Sequence, residues 1–363
     1  MAGTIAGNIS PAPASSDTIC NHMDPIDSIP LIDIAALFLG PSTNRDRTDA
    51  QIAEAAVGVG FLSAQGFPAD LPIGRNSCAQ LLRIFQLADH QIQPLWRKKF
   101  DPSHSNVYRG WFPLQTGFLT SKEGIDLGPD VAYGSSVVSA DDPLREATPL
   151  PEEDELPGWR ASVARYYLGM VRVSEVLMRS LARSLKLPEQ FFDQAFDRGI
   201  STLRLIRYPP RTDLGQAVER DPDVWVEHLG QRVYLTGAPH VDSGLLTLLA
   251  QDGVPGLQAR QRNGQWLDVP PMENTLVVNF GKVLERWSRG RIKATEHRVI
   301  GAGRQRMSVP FFYEARADAV IRPLPIDPDN AFEPFLYGDY LWATTTQFVE
   351  FKGMESLRAP TGV

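Results

Sequence analysis

The sequence predicts an α+β protein in which helices support a double-sheet jelly roll. Three observations carry that prediction. The helical signals lie in the first half, strongest over "GWRASVARYYLGMVRVSEVLMRSLARSLKL" (158–187). From residue 201 the texture changes to short β-rich runs punctuated by Gly, Pro and Asn. Helices first and closely spaced short strands after is the order of an antiparallel sandwich or barrel with helices packed on it. The expected organisation is therefore a flexible N-terminal tail (1–27), a helical and mixed region (28–200), and a jelly-roll core with a closing C-terminal helix (201–363).

The tail "MAGTIAGNISPAPASSDTIC" is built from Ala, Ser, Pro and Gly, and lacks the basic start and apolar core of a signal peptide. Order is expected from "SIPLIDIAALF" (28–38), where Pro30, Leu31 and Ile32 read as a short strand. Ile52, Ala55, Ala56 and Val59 recur at helical spacing, and Gly58 and Gly60 loosen the end of that helix. Phe61 and Leu62 then read as a buried strand. Apolar residues from Leu81 to Trp96 predict one long helix over 77–100, kinked at Pro94. Residues 101–157, rich in Gly, Pro, Ser and Asp, read as loops and short strands, and "PEQFFDQAF" (188–196) as a short helix. Beyond residue 201 come eight β-rich runs, from "TLRLIRYPP" to "RMSVPFFYEA", with a helical turn in "GKVLERWSRGRI" (281–292). The stretch "YGDYLWATTTQFVEF" (337–351) reads as a closing helix.

Composition bounds the function. A chain of 363 residues, 43% hydrophobic and 22% charged, is ordinary for a soluble globular protein. Its net charge of −7 argues against nucleic acid as a partner. No apolar run approaches the roughly 18 residues that cross a membrane. Two cysteines, Cys20 and Cys78, are too few for a disulfide framework or a cysteine-based zinc site, and a cytoplasmic setting is the simplest reading.

The standard hydrolase, zincin, Walker and dinucleotide motifs are absent. What stands out is "PHVDSG". Side chains two apart on an extended segment share a face, so His240 and Asp242 project together while Val241 points away. A histidine from another strand, His297 in "TEHRV", would complete a face of two imidazoles and one carboxylate with the opposite coordination positions open. That donor set suits non-haem Fe(II), with oxygen and a co-substrate at the open positions. Alone, His-x-Asp is more often a solvated polar pair. Nine residues after His297 stand Arg306 and Ser308, again two apart on an extended run. A guanidinium fork beside a hydroxyl suits a carboxylate, as the far end of an iron-chelating dicarboxylate would need. Tyr208 in "LIRYPP" offers a further hydroxyl. Each of these has a plainer role in packing or surface ion pairs; it is their joint occurrence that carries the reading.

The motifs "YPP" (208–210), "HVD" (240–242), "EHRV" (296–299) and "RMS" (306–308), in this order, resemble the isopenicillin N synthase-like group of Fe(II)/2-oxoglutarate-dependent dioxygenases. So do "IPLIDIAAL" (29–37), "GFLSAQGFP" (60–68), "YRGWFP" (108–113) and "KEGIDLG" (122–128), and the resemblance spans Ser28 to Phe351. It implies a double-stranded β-helix core flanked by helices and iron held by His240, Asp242 and His297. It implies 2-oxoglutarate gripped by Arg306 and Ser308 with Tyr208 nearby. With O2 as co-substrate, a small molecule, as in secondary metabolism, would be hydroxylated, desaturated or cyclised, releasing succinate and CO2.

Phe312 shares the strand face of Arg306 and Ser308, and Tyr108, Arg109 and Trp111 lie in a loop that could cover the pocket. Phe312, Tyr108 and Trp111 are therefore candidate substrate contacts, with core packing as the competing role. Two departures from plant members of the family stand out: Ile206 replaces the asparagine often found two before the tyrosine, and Gly281-Lys282 replaces Gly-Asp. The insert 211–238 is expected to form a hairpin turning at Leu229-Gly230 and to shape the substrate entrance, with His228 in a surface or structural role. Two rivals stand beside this reading: an isopenicillin N synthase-type oxidase that uses iron and oxygen without 2-oxoglutarate, and a non-catalytic jelly-roll binding module.

Overall fold

The computed structural model describes residues 28–326 and 332–362. The expected N-terminal tail, with Cys20, lies outside the described residues.

The chain opens with β1 (Leu31–Asp33), α1 (Thr43–Val57) and β2 (Phe61–Gln65). Ser42 caps α1, its side chain accepting from the Arg45 N–H at 3.2 Å. Next come α2 (Arg75–Leu82) and α3 (Asp89–Ile92), where one long helix was expected. The chain turns extended at Leu87 and again at Trp96. Leu87 falls off the apolar stripe that Leu81, Phe85 and Ile92 share, so a continuous helix would have pointed it away from the core. Trp96 instead bridges to Trp111 in strand fashion.

Strands β3 (Gly110–Phe112) and β4 (Glu123–Leu127) follow, then α4 (Asp130–Tyr133), α5 (Trp159–Ser184) and α6 (Asp193–Phe196). The last is shorter than the helix read over 188–196. α5 buries Val163, Tyr167, Met170, Ser174, Leu177 and Leu181, a stripe with spacings of three and four. Along the rest of the chain lie β5 (Thr202–Tyr208), α7 (Leu214–Arg220), β6 (Trp225–His228), β7 (Gln231–His240), β8 (Leu246–Gln251), β9 (Leu257–Arg260) and β10 (Trp266–Asp268). They are followed by β11 (Leu276–Phe280), α8 (Lys282–Trp287), β12 (His297–Ile300), β13 (Arg306–Tyr313), β14 (Val320–Ile321), β15 (Phe335–Leu336) and α9 (Tyr337–Thr345).

From β5 onward the chain alternates between two sheets, giving the predicted jelly roll. One sheet has the order β1-β2-β11-β8-β13-β5-β4-β3, the other β10-β9-β12-β7-β6. The N-terminal strands β1 to β4 thus extend the larger sheet on both flanks, so the two expected regions share one sheet. No described helix is long and apolar enough to cross a membrane.

The pleat of the larger sheet divides its side chains. On one face Leu203, Leu205, Leu248, Val278, Val309 and Phe311 join the main core under the helices. Tyr167 of α5 meets Phe311 edge-on at 5.0 Å, and its hydroxyl donates to the Ser201 carbonyl at 3.0 Å. The opposite face, turned to the smaller sheet, carries Arg204, Ile206, Tyr208, Thr247, Asn279, Arg306 and Ser308. The β6–β7 hairpin turns at Leu229-Gly230 with φ of 50° and 73°, the two left-handed residues of a type I′ turn.

Where β4 and β5 pair, a buried charge cluster ties the sheet to the segment after α3 and to the segment beyond the last helix. Asp126, opposite Arg204 in register, accepts from Arg204 Nε at 2.5 Å and Nη2 at 2.8 Å, and from Arg97. The Arg97 guanidinium lies between the rings of Phe112 and Phe351, 5.0 and 4.4 Å from their centroids. Removing the carboxylate would leave two buried guanidinium groups uncompensated. Asp126→Ala is expected to cost about 3–5 kcal/mol of stability, read as a shift in the urea unfolding midpoint at constant slope.

Candidate metal centre and cavity

Antiparallel pairing of β12 with β7 places His297 directly opposite His240. The imidazoles are neighbours, with ring centroids 4.3 Å apart. β7 ends at His240, and Asp242 follows in the loop that leads into β8. Its Oδ1 lies 3.8 Å from His240 Nε2 and 3.7 Å from His297 Nε2. The three candidate ligand atoms all lie within 4.8 Å of one another, close enough for one ion to touch them all.

The other ring nitrogens fix the tautomers. His240 Nδ1 faces the Ala238 carbonyl at 2.8 Å and His297 Nδ1 the Thr295 carbonyl at 3.1 Å. A carbonyl only accepts, so each Nδ1 carries the proton and each neutral Nε2 presents a lone pair inward. Burial, and then the neighbouring His297, push the His240 imidazole down to about 4, which favours the neutral, ligating form.

Asp242 is divided in the same way. Its Oδ2 accepts from Thr247 Oγ1 and Asn279 Nδ2, both at 2.7 Å, leaving Oδ1 to the histidines. Burial raises the carboxyl, but His297, His240 and these two hydrogen bonds outweigh it and hold it below the usual range. Thr247 and Asn279 are themselves register partners across β8 and β11. Neither was singled out in the sequence. The available signal was a lone polar residue in each of two apolar strands, "LLTLL" and "VVNF".

The centre opens into a cavity of about 510 Å³ between the sheets. Arg306, Ser308 and Tyr208 line it, with Arg306 opposite Tyr208 in register. The Arg306 guanidinium is buried and sits 5.2 Å from the Tyr208 ring centroid. Its Nη2 donates to Gln251 at 3.2 Å, while its Nε and Nη1 have no partner. No carboxylate of the described chain pairs with it. Orphaned buried donors of this kind suit a bound anion.

Phe312 and Tyr108 also line the cavity; Trp111 does not. Trp111 was expected in a covering loop, but it belongs to β3 and is buried edge-on against Phe85 in the main core. Its indole follows the alternation of a strand, which the sequence did not reveal in a region rich in loop residues. Arg109 is likewise buried away from the cavity and donates to Thr202 and to the Ile200 carbonyl. Arg207 points away from Tyr208 and pairs with Glu123 at 2.7 Å. His228 pairs with Asp268 at 3.0 Å on the surface, in the structural role expected.

Several further cavity residues went unremarked in the sequence. Phe61 meets His297 edge-on at 5.6 Å, and Phe348, beyond α9, meets His240 at 6.2 Å. Lys122 pairs with Glu350 at 3.0 Å; burial opposes the ionised acid, but Lys122 and Arg204 bring its carboxyl down to about 2. Glu314 is pushed well above the usual carboxylate range by burial and by Asp242. These residues come from loops and strand ends, and only their folded proximity marks them as a group.

The clamp on Asp242 predicts a specific defect. Asn279→Leu and Thr247→Val should each weaken binding of a divalent ion by about 10–100-fold, measured by anaerobic titration calorimetry, while the far-ultraviolet circular dichroism stays unchanged.

Comparison with known proteins agrees with this geometry. Residues 200–315 match the model of the 2OG-Fe(II) oxygenase superfamily. Isopenicillin N synthase of Streptomyces clavuligerus is 30% identical over 326 residues, covering 87% of this chain and 94% of that protein. A 2-oxoglutarate-Fe(II) type oxidoreductase of Emericella nidulans is 30% identical over 311 residues, 82% of each. Among solved structures, a full-length Neurospora crassa protein in complex with alpha-KG and 5-formyluracil superposes with a TM-score of 0.71 at 25% identity, covering 90% of this chain and 98% of that one. The chain therefore belongs to the 2OG-Fe(II) oxygenase superfamily, related to its isopenicillin N synthase-like members, and is an oxidoreductase that uses Fe(II), 2-oxoglutarate and O2 on a small-molecule substrate.

Proposed function

We propose that His240, Asp242 and His297 ligate the iron and that Arg306 and Ser308 hold the far carboxylate of 2-oxoglutarate, with Tyr208 beside them. The observation that carries this reading is the buried Arg306 fork, with two unpartnered nitrogens at one end of the cavity that contains the triad. Two histidine nitrogens and one carboxylate oxygen are the donor set of non-haem Fe(II), and leave positions open for the keto acid and oxygen. When bound, iron and 2-oxoglutarate supply the oxidising chemistry, with succinate and CO2 released. The chain's own part is to hold and orient. The carbonyls of Ala238 and Thr295 aim the imidazoles, Thr247 and Asn279 aim the carboxylate, and the apolar cavity wall keeps water from the reacting bond.

On this reading Phe312 and Tyr108 face the substrate, and the bond they present decides between hydroxylation, desaturation and ring closure. The insert 211–238 shapes the entrance. Arg220 and Asp221 of this insert line the cavity, and Arg220 stacks 4.3 Å from the ring centroid of Phe118. A cytoplasmic setting belongs to the same proposal and rests on the two cysteines, of which Cys78 is free and buried.

Protein reconstituted anaerobically with Fe(II) and then given 2-oxoglutarate, oxygen and candidate substrates should form succinate at a rate that substrate stimulates. His240→Ala should abolish this activity together with iron binding; full activity in that variant would overturn the ligand assignment. Arg306→Leu should raise the 2-oxoglutarate concentration for half-saturation at least about 30-fold, since removing one partner of a buried charge pair costs about 2–5 kcal/mol, with iron affinity unchanged. Substrate oxidation without 2-oxoglutarate would instead support the oxidase reading that the isopenicillin N synthase relatives raise.

A further inference from the structure

Strand β13 lays Arg306, Ser308, Pro310 and Phe312 along one wall of the cavity, and Glu314 stands next in that alternation, just past the strand end. At about 3.3 Å per residue, Arg306 and Glu314 mark opposite poles of the wall, about 26 Å apart along the strand direction. The backbone at Glu314 is pinned: its N–H donates to Ser201 Oγ at 3.0 Å. Its side chain is not. Glu314 is 5% exposed, its Oε2 is buried without a partner, and no hydrogen bond or ion pair to the carboxyl occurs among the described residues. The carboxyl lies against the loop that carries Asp242, since a Cβ placed on Gly244 would come within 2.4 Å of Glu314 Oε1.

A buried carboxyl with no partner is costly, and a chain keeps one only where something else makes use of it. The basic groups around it are already engaged. Arg204 is held by Asp126, Lys122 by Glu350, and the Arg109 guanidinium donates to Thr202 and the Ile200 carbonyl. The Arg109 Nε has no partner and its charge bears on Glu314, but no ion pair or hydrogen bond joins the two among the described residues. The pole around Glu314 thus combines an acid, an adjacent ligand carboxylate and no cation in contact with it, so a group that brings both N–H donors and positive charge satisfies it best.

We propose that Glu314 is a specificity-determining residue whose free carboxyl oxygen receives an amine of the substrate, at the end of the cavity opposite Arg306. This inference rests on the oxygenase reading given above. Arg306 serves the co-substrate and Glu314 the substrate, and the iron face lies between the two poles.

The test uses the full chain loaded anaerobically with Fe(II) and 2-oxoglutarate, whose visible charge-transfer band reports occupancy of the metal centre. The probes are benzylamine and phenethylamine, each paired with the hydrocarbon in which a methyl group replaces the amino group, ethylbenzene and n-propylbenzene. In the wild-type chain at least one amine should perturb the band at a concentration at least about tenfold lower than its hydrocarbon partner, the scale of a charge-assisted hydrogen bond. Glu314→Leu should erase that preference while the band itself still forms. The same substitution removes an unpartnered buried acid and should raise the melting temperature, by about 2 °C. Should Glu314→Leu not fold, Glu314→Gln replaces the acid at constant size with an amide that cannot pass a proton to the amine, and should also weaken the preference. Equal binding of amine and hydrocarbon by the wild-type chain, or a preference that survives in Glu314→Leu, overturns the proposal. So does a melting temperature lowered by Glu314→Leu as by a core truncation, which would make the residue structural. Failure of the band to form in the wild-type chain would instead count against the oxygenase reading.

Discussion

The rest of the site depends on how Asp242 is held. This carboxylate sits beyond the end of β7, where no ladder hydrogen bonds fix the backbone, yet it must present one chosen oxygen to two imidazoles. The constraint comes from the facing sheet. Thr247 and Asn279 stand side by side across β8 and β11 and both donate to Oδ2. A loop residue is thereby referred to two adjacent strands in the interior of the larger sheet. The histidines are fixed independently, by direct register between β7 and β12 and by carbonyls two residues upstream. The centre is thus a meeting of the two sheets, with two donors from the smaller one and a carboxylate clamped by the larger. Such outer partners set ligand orientation and basicity as much as the ligands do.

The pleat of the larger sheet separates stability from chemistry. One face of β5, β8, β11 and β13 feeds the core beneath α5, and the other lines the cavity. The helix-side face is apolar except at Arg207, which pairs with Glu123. The cavity face tolerates a guanidinium, hydroxyls, an amide and a buried acid because a bound group can satisfy them. Unpartnered atoms on Arg306 and Glu314 fall on that face. A protein concedes local stability at such positions, and the helix-backed face, with the charge cluster at Asp126, offsets the cost.

Much of this organisation was legible in the chain. The alternation of "RMSVPFFY" placed Arg306, Ser308 and Phe312 on one face, because a strand repeats every two residues whatever it packs against. "LG" between two β-rich runs sufficed for the hairpin, since a two-residue turn selects left-handed backbone. The long helix over 77–100 was misread because helical spacing in a window cannot report a chain that must turn extended at Leu87 and Trp96 to meet β3. Trp111 was misplaced for a related reason: in a short strand within a loop-rich region, the inward and outward faces are decided by neighbours.

What the sequence determined by itself is the order of helices before short strands, the shared face of His240 and Asp242, and the chemical types of the donors, because these follow from local periodicity and side-chain chemistry. Which oxygen of Asp242 is free and which buried groups are left without partners were decided only by tertiary structure, which also brings His297, already named from the sequence, opposite His240. Those properties depend on contacts between strands far apart in the chain: β12 beside β7, Thr247 beside Asn279, and Glu314 against the loop at Gly244. Periodicity carries no information about such meetings, whereas hydrogen-bond satisfaction in the folded interior does.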